Sequence, residues 1–244
     1  MFTESAELYD AIYAEFKDYA AETAQIAKLV RMAHPGARSL LDVACGTGEH
    51  ARLLAESFGF VADGIDLDAA LLEVARRKHP SGRFLQADMA DFNIGHRYDA
   101  VTCLFSSIGY LCTTDRVVQA LRSFRRHTAS GGVVIVEPWF APGALDPARV
   151  TRQSVRVGEL QVERVSHVEI DDRISRLRFD YRIEGPDGVR HATEHHVLGL
   201  FTPDELSSAF VDAGLAAVYD PVGLTGRGLY VATLANESTQ STHA

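Results

Sequence analysis

The feature that most constrains this chain is a change of period, repeated along its first 140 residues. Short apolar runs of strand character give way, at glycine or acidic turns, to runs with apolar residues at helical spacing. SLLDV at 39–43 reads as a strand, CGTG as a turn, and EHARLLAESFG as a helix. VADGIDLD is a second strand ending in acids, followed by the helix AALLEVARRKH, which Pro80 closes. GRFLQADM and YDAVTCLFS supply two further strands, and TDRVVQALRSFRRHTA a helix capped at Thr114 or Asp115. Gly131 and Gly132 then release the chain into VVIVEPWF, whose run of β-branched residues suits a strand buried on both faces. Strands alternating with helices require parallel pairing and right-handed crossovers, so the expected class is α/β. A helix over 18–33, ending before Pro35, precedes this region.

After Trp139 the period shortens to near two. SVRVGELQVERVSHVEI, RISRLRFDYRIEG and VRHATEHHVLGLF, parted by the turns IDDR and PDG, predict three antiparallel strands with one wet face, inserted as a lobe over 140–200. TPDELSSAFVDAG is a helix with Thr202 as cap, Pro203 at its first position and Glu205 completing a capping box. The strand YVATLA completes a core made of 1–139 and 201–235, and 236–244 is expected to be a disordered tail.

Composition narrows the partners. A formal charge of -9 without a basic run argues against nucleic acid as the main partner. There is no signal-peptide pattern and no apolar stretch of about 20 residues, so a cytoplasmic protein without membrane contact is expected. Cys45, Cys103 and Cys112 are an odd number and read as reduced thiols, mostly buried. His195 and His196 are adjacent and face opposite sides of a strand, which excludes a shared metal site. With His191 they read as surface or sheet residues.

The strongest local signal is LLDVACGTGEH at 40–50. Gly46 and Gly48 let the backbone turn sharply and approach a ligand, with the amides of the next helix start facing it. Neither the phosphate-loop lysine nor the GxGxxG dinucleotide fingerprint is present. Asp66, at the second strand end, can accept both hydroxyl hydrogens of a ribose, whereas Asp68 suits a helix cap. Asp88 follows the third strand, where an adenine amine would arrive, and Met89 either packs on that ring or belongs to the core. Asp42 ends the first strand, where it either orients the glycine loop or meets an ammonium group. Acids at three successive strand ends converge on one crevice, because ligands bind at the carboxyl edge of such sheets.

In this order and spacing LDVACGTG, GIDLD and LQADM resemble the cofactor-binding motifs of class I S-adenosylmethionine methyltransferases. The resemblance implies a Rossmann-like seven-stranded sheet with one antiparallel strand near the C-terminus and an inserted antiparallel β lobe. It also implies S-adenosylmethionine as cofactor, S-adenosylhomocysteine as product, and further cofactor contacts from Ala44, Leu67 and Leu104. FSSIGYL, VEPWF, RVSH and GRGLY extend the similarity to the N-methyltransferases that dimethylate dTDP-linked deoxyaminosugars in macrolide antibiotic pathways. That narrower resemblance implies a nucleotide-sugar substrate and a homodimer.

On the acceptor side it matches Arg227 to an arginine on the diphosphate, and Tyr110 to the residue beside the acceptor amine. Ser106 and Ser107 come from the same strand end, although Ser107 also suits a turn at Gly109. Trp139 and Phe140 are candidate walls beside the sulfonium, His167 a substrate-orienting residue or a polar residue on the lobe's wet face. Tyr9 and Tyr13 either touch the acceptor or pin the N-terminal helix. Lys17, Asp18 and Tyr19 keep the family's KDY, and Lys17 and Tyr19 are placed with the substrate, whereas Glu15 and Phe16 replace a glycine-containing basic loop. The rival functions are an N- or O-methyltransferase with a non-nucleotide acceptor and a non-enzymatic cofactor-binding module. For an amine acceptor a strong base is dispensable, and Tyr110 with nearby carbonyls would orient the nucleophile.

Overall fold

A computed structural model describes residues 6–14 and 17–234 of the chain. Glu15, Phe16 and the 236–244 tail, singled out above, lie outside the described residues. Helix α1 (Ala6–Ala14) and helix α2 (Tyr19–Ala33) lead into β1 (Ser39–Val43), α3 (Glu49–Phe58), β2 (Val61–Asp66), α4 (Ala69–Lys78), β3 (Phe84–Gln86), β4 (Tyr98–Cys103), α5 (Thr114–His127) and β5 (Thr128–Val136). Four strands follow, β6 (Thr151–Val157), β7 (Leu160–Asp171), β8 (Ile174–Gly185) and β9 (Gly188–Gly199). The chain then returns through α6 (Pro203–Asp212), β10 (Leu215–Asp220) and β11 (Leu229–Leu234).

The larger sheet has seven strands in the order β10-β11-β5-β4-β1-β2-β3. Strand β11 is antiparallel to both its neighbours, and the β1–β5 pairs are parallel. Alternation explains the burial. In β5, Val133 and Ile135 join the apolar cluster that holds Ile26, Val30, Leu54 and Leu72, while Val134 and Val136 join the one that holds Leu121, Phe124, Leu206 and Phe210. Each strand therefore buries both faces between two helical layers, which is why its sequence reads as continuous apolar residues. Helix α6 has the predicted capping box of Thr202 and Glu205 with Pro203 at its first turn. At α5 the cap is Thr113, one residue earlier than expected, because Thr113 stays extended and accepts from Arg116 N–H.

The second sheet is antiparallel in the order β6-β7-β8-β9. It contains four strands where three were expected: Gly158, at φ +60°, lets the first segment fold back on itself as β6 and β7. One face carries Val162, Phe179, Tyr181, Ile183 and Leu198, and Leu8 and Ile12 of α1 pack into the same cluster. Between them Asp10 ties α1 to the core, accepting from Thr47 Oγ1 and from Lys78 Nζ, each at 2.5 Å. Helix α1 thus bridges sheet and lobe across the strands' carboxyl edge. No helix among the described residues is long and apolar enough to cross a membrane. Cys45, Cys103 and Cys112 are free thiols.

Candidate active site

The end of β1 turns under backbone strain. Ala44, Gly46 and Gly48 all have positive φ, at 55°, 55° and 71°. Gly46 has open space where a Cβ would stand, whereas a Cβ on Gly48 would lie 3.0 Å from Ala75 and 3.1 Å from Phe84. Gly46 therefore offers bare backbone to a ligand, and Gly48 permits the close packing of α3 on α4 and β3. Asp66 fixes the loop: its two oxygens accept from Gly46 N–H at 2.8 Å and Asp68 N–H at 2.9 Å. Asp68 caps α4 through Ala70 and Leu71 N–H. Asp88 accepts from Ala90 N–H and from Arg116 Nη2, both at 2.9 Å. Asp42 is buried under the loop and accepts from Thr102 Oγ1 at 2.9 Å.

A cavity of about 650 Å³ opens along this rim. One wall includes Ala44, Gly46, Asp66, Leu67, Asp88 and Met89; the opposite wall includes Tyr13, Ser107, Tyr110, Trp139, Phe140 and Arg227, with Tyr9 and Lys17 from the N-terminal segment. A smaller adjoining recess reaches Asp42, Leu104 and Tyr19. Sheet and lobe share the enclosure, because Thr151, Arg164, Ser166 and Phe179 also line it.

The wall opposite the glycine loop is built by long-range contacts. Glu137, fully buried at the end of β5, accepts from Phe105 N–H at 2.7 Å, Thr225 Oγ1 at 2.5 Å and Arg227 Nη2 at 3.3 Å. Phe105 and Ser106 are both left-handed, at φ 51° and 65°, and are held there by Glu137 and by the bond from Ser106 Oγ to Pro138 O at 2.7 Å. A non-glycine residue in this region costs about 1 kcal/mol or more, so two in succession require such anchors. Arg227 lies 5.2 Å from the centre of the Phe105 ring, and its Nε donates to Thr225 at 2.9 Å. A guanidinium has five N–H donors, so these bonds leave others for an anion.

Burial sets the titration of the site. Desolvation raises Asp66 and Asp42 above the ordinary carboxylate range, although backbone N–H bonds to Asp66 and Thr102 at Asp42 oppose it. It also raises the phenols of Tyr9, Tyr13 and Tyr110, which keep their protons at neutral pH. Tyr110 is 43 % exposed because it borders the cavity, yet protein encloses it. Desolvation lowers Lys17 despite its ion pair with Glu22 at 2.9 Å. For Glu22 burial acts upward, but bonds to His50 and Lys17 outweigh it and bring the acid below its ordinary value.

Three sequence candidates stand apart from the cavity. Gly48 is behind the loop surface. Ser106 is buried with its hydroxyl committed to Pro138. His167 points to the face of β7 opposite Arg164 and Ser166 and lies 3.5 Å from Asp180 there, as alternation demands. His191, His195 and His196 are sheet residues of β9, as read, and His196 is the one that faces inward, 3 % exposed and bonded to Tyr110 Oη at 2.9 Å. Arg164, Phe105, Arg116, Thr225 and Glu137 were not named from the sequence, and His196 was not placed at the site. Period-two parity with buried Val162 could have found Arg164, but no local pattern signals Glu137 or His196.

A strained glycine loop and acids at successive parallel-strand ends, above a seven-stranded sheet with one antiparallel strand, define a class I methyltransferase. A methyltransferase-domain family model matches residues 40–132. The chain is 45 % identical to the dTDP-3-amino-3,6-dideoxy-alpha-D-glucopyranose N,N-dimethyltransferase of Streptomyces fradiae, over 93 % of this chain and 89 % of that protein. It is 42 % identical to the dTDP-3-amino-3,4,6-trideoxy-alpha-D-glucopyranose N,N-dimethyltransferase of Streptomyces venezuelae, over 93 % and 97 %. Among solved structures, Streptomyces venezuelae DesVI superposes with a TM-score of 0.89 at 41 % identity, covering 94 % of this chain and 98 % of that one. CalS10 from Micromonospora echinaspora, an amino pentose methyltransferase solved with S-adenosylmethionine bound, gives 0.83 at 36 %, covering 93 % and 96 %. The chain belongs to the S-adenosylmethionine-dependent methyltransferases, in the family of the dTDP-aminosugar N,N-dimethyltransferases.

Proposed function

We propose that this enzyme transfers methyl groups from S-adenosylmethionine to the amino group of a dTDP-linked deoxyaminosugar, twice in succession, in natural-product biosynthesis. The observation that carries this reading is one enclosed space bordered by the Asp66–Asp88 rim, by Tyr110 and by Arg227. Its volume is within the range of small-molecule sites. The bare backbone of Gly46 and the outward acids fit a nucleoside, since carboxylates accept from ribose hydroxyls and from an adenine amine.

When bound, the cofactor supplies an electrophilic methyl group on a sulfonium. Asp66 holds the ribose and Asp88 the adenine amine, with Ala44, Leu67, Met89 and Leu104 as apolar surroundings and Asp42 beneath the loop. Arg227 contacts the diphosphate, its orientation set by Glu137 and Thr225. Trp139, Phe140 and Phe105 exclude water, and their faces favour a cation. Tyr110 orients the amine, with Ser107 beside it and Tyr9, Tyr13, Lys17 and Tyr19 closing the space from the N-terminal side. Much of the rate enhancement then comes from placing amine and methyl in line.

In this reading 1–139 with 201–235 form the catalytic core and 140–200 the substrate lobe. The enzyme acts in the cytoplasm as a homodimer, and a solution mass measurement tests the oligomeric state. Incubation with labelled S-adenosylmethionine and a panel of dTDP-aminosugars tests the function: N-monomethyl and N,N-dimethyl products are expected. Transfer only to hydroxyl groups, or only to amines lacking a nucleotide, would overturn it.

A further inference from the structure

Tyr110 enters the cavity wall from the helical turn Ser107–Leu111, which follows β4. Its hydroxyl is 2.9 Å from Nδ1 of His196 on β9. The imidazole packs beside Phe179, with ring centres 4.9 Å apart, and Arg164 lies over that phenyl ring at 4.8 Å. Behind the imidazole, Nε2 is 3.8 Å from Glu194 Oε2, and the same oxygen accepts from Tyr181 Oη at 3.0 Å. Glu194 is 4 % exposed. A line of polar side chains therefore runs from the cavity through Tyr110, His196 and Glu194 to Tyr181, on the lobe face that also holds the apolar cluster of Val162, Phe179 and Ile183.

The Glu194 contact is too long for a hydrogen bond, so the direction of the Tyr110–His196 bond follows from the charge beside the imidazole. A neutral imidazole carries one proton, so whatever fixes one ring nitrogen decides the other. The Glu194 oxygen already accepts the Tyr181 proton, and a carboxylate oxygen attracts an N–H and repels a bare lone pair. In a neutral imidazole the Glu194 charge favours the proton on Nε2, which makes Nδ1 the acceptor and turns the Tyr110 hydrogen toward Nδ1. With that hydrogen committed, the phenolic oxygen offers lone pairs to the cavity.

Building on the N-methyltransferase reading above, we propose that His196 and Glu194 are positioning residues. They lock the Tyr110 hydroxyl as a hydrogen-bond acceptor for an N–H of the substrate amine, turning the nitrogen lone pair toward the methyl group. A primary or secondary amine has such an N–H when neutral and attacks without losing it first, whereas a hydroxyl could donate to the same oxygen but needs a base to attack, and the Tyr110 phenol, protonated at neutral pH, supplies none.

The test uses the full-length protein and has two arms. Long-range proton–nitrogen NMR on the ligand-free protein, with the His196 signals assigned by their loss in His196→Asn, reads the tautomer. Protonated Nε2 and bare Nδ1 are expected, with a shift toward protonated Nδ1 in Glu194→Gln, whose amide can donate to Nε2. Protonated Nδ1 in the unaltered protein, or no change in Glu194→Gln, would overturn the proposal. In the kinetic arm, His196→Leu lowers kcat about tenfold while KM for S-adenosylmethionine stays within about twofold, and His196→Asn, which keeps an acceptor near the Nδ1 position, restores most of the rate. Equal kcat in the Leu and Asn variants would overturn it. If the unaltered enzyme methylates no dTDP-aminosugar, the acceptor assignment fails, whereas the tautomer still decides the direction of the Tyr110 bond.

Discussion

The cofactor rim and the acceptor wall face each other across one cavity, but they are built by opposite means. On the rim, apart from Arg116 of α5 at Asp88, hydrogen bonds link groups near in sequence or on adjacent parallel strands: Asp66 to Gly46 and Asp68, Asp88 to Ala90, Asp68 to the first turn of α4. On the acceptor wall, Glu137 gathers Phe105, Thr225 and Arg227, and Tyr110 leans on His196 of the inserted lobe. A site assembled from local turns forms wherever its βα unit folds. One assembled from a buried carboxylate and two distant segments exists only when the whole chain has closed.

The sharpest way to break this contrast is Glu137→Ala. It leaves Arg227 without its buried counter-charge and frees the left-handed Phe105, so a loss of about 4 kcal/mol in denaturant unfolding is expected. A loss below about 1 kcal/mol would show that the acceptor wall does not depend on this carboxylate. Asp66→Ala tests the opposite wall. It removes two backbone hydrogen bonds and the proposed ribose acceptor, and calorimetry should show S-adenosylmethionine affinity reduced about 100-fold, with dTDP affinity nearly unchanged. Arg227→Ala should reverse the pattern, weakening the nucleotide sugar about 10- to 30-fold and the cofactor less than about twofold. Equal losses for both ligands would remove Arg227 from the diphosphate.

Acidification distinguishes the two kinds of buried acid. Asp66 and Asp42 have folded-state values raised by burial, so they bind protons in the folded protein while a free carboxylate is still ionised. Their contribution to stability is present below the ordinary carboxylate value and lost as pH rises through the folded one. Glu22 has the opposite sign: burial opposes it, but His50 and Lys17 prevail, so its contribution is present above the ordinary glutamate value and lost as pH falls through the folded one. Cofactor affinity should therefore decline on mild acidification before the fold weakens. Parallel titrations of binding and melting temperature check this, and coincident loss would contradict it. The smallest effect is expected for His167→Ala, within about 0.5 kcal/mol in stability and without change in turnover, because its contact with Asp180 is a partly exposed pair outside the cavity.

What the sequence determined by itself is the order of strands and helices along the core and the cofactor rim. Period, glycine position and acidic strand ends are local patterns, and a parallel sheet carries them to one edge whatever the rest of the chain does. Asp66, Asp88 and the capping box of Thr202 and Glu205 were legible for that reason. Tertiary structure decided the acceptor wall. The fold-back at Gly158 made two strands of one alternating run, and the parity of β7 sent Arg164 inward and His167 outward. Pairing of β9 beside the turn after β4 brought His196 to Tyr110, and closure of the C-terminal loop brought Arg227 to Glu137. The last two depend on contacts between residues tens of positions apart, which no window of the sequence contains.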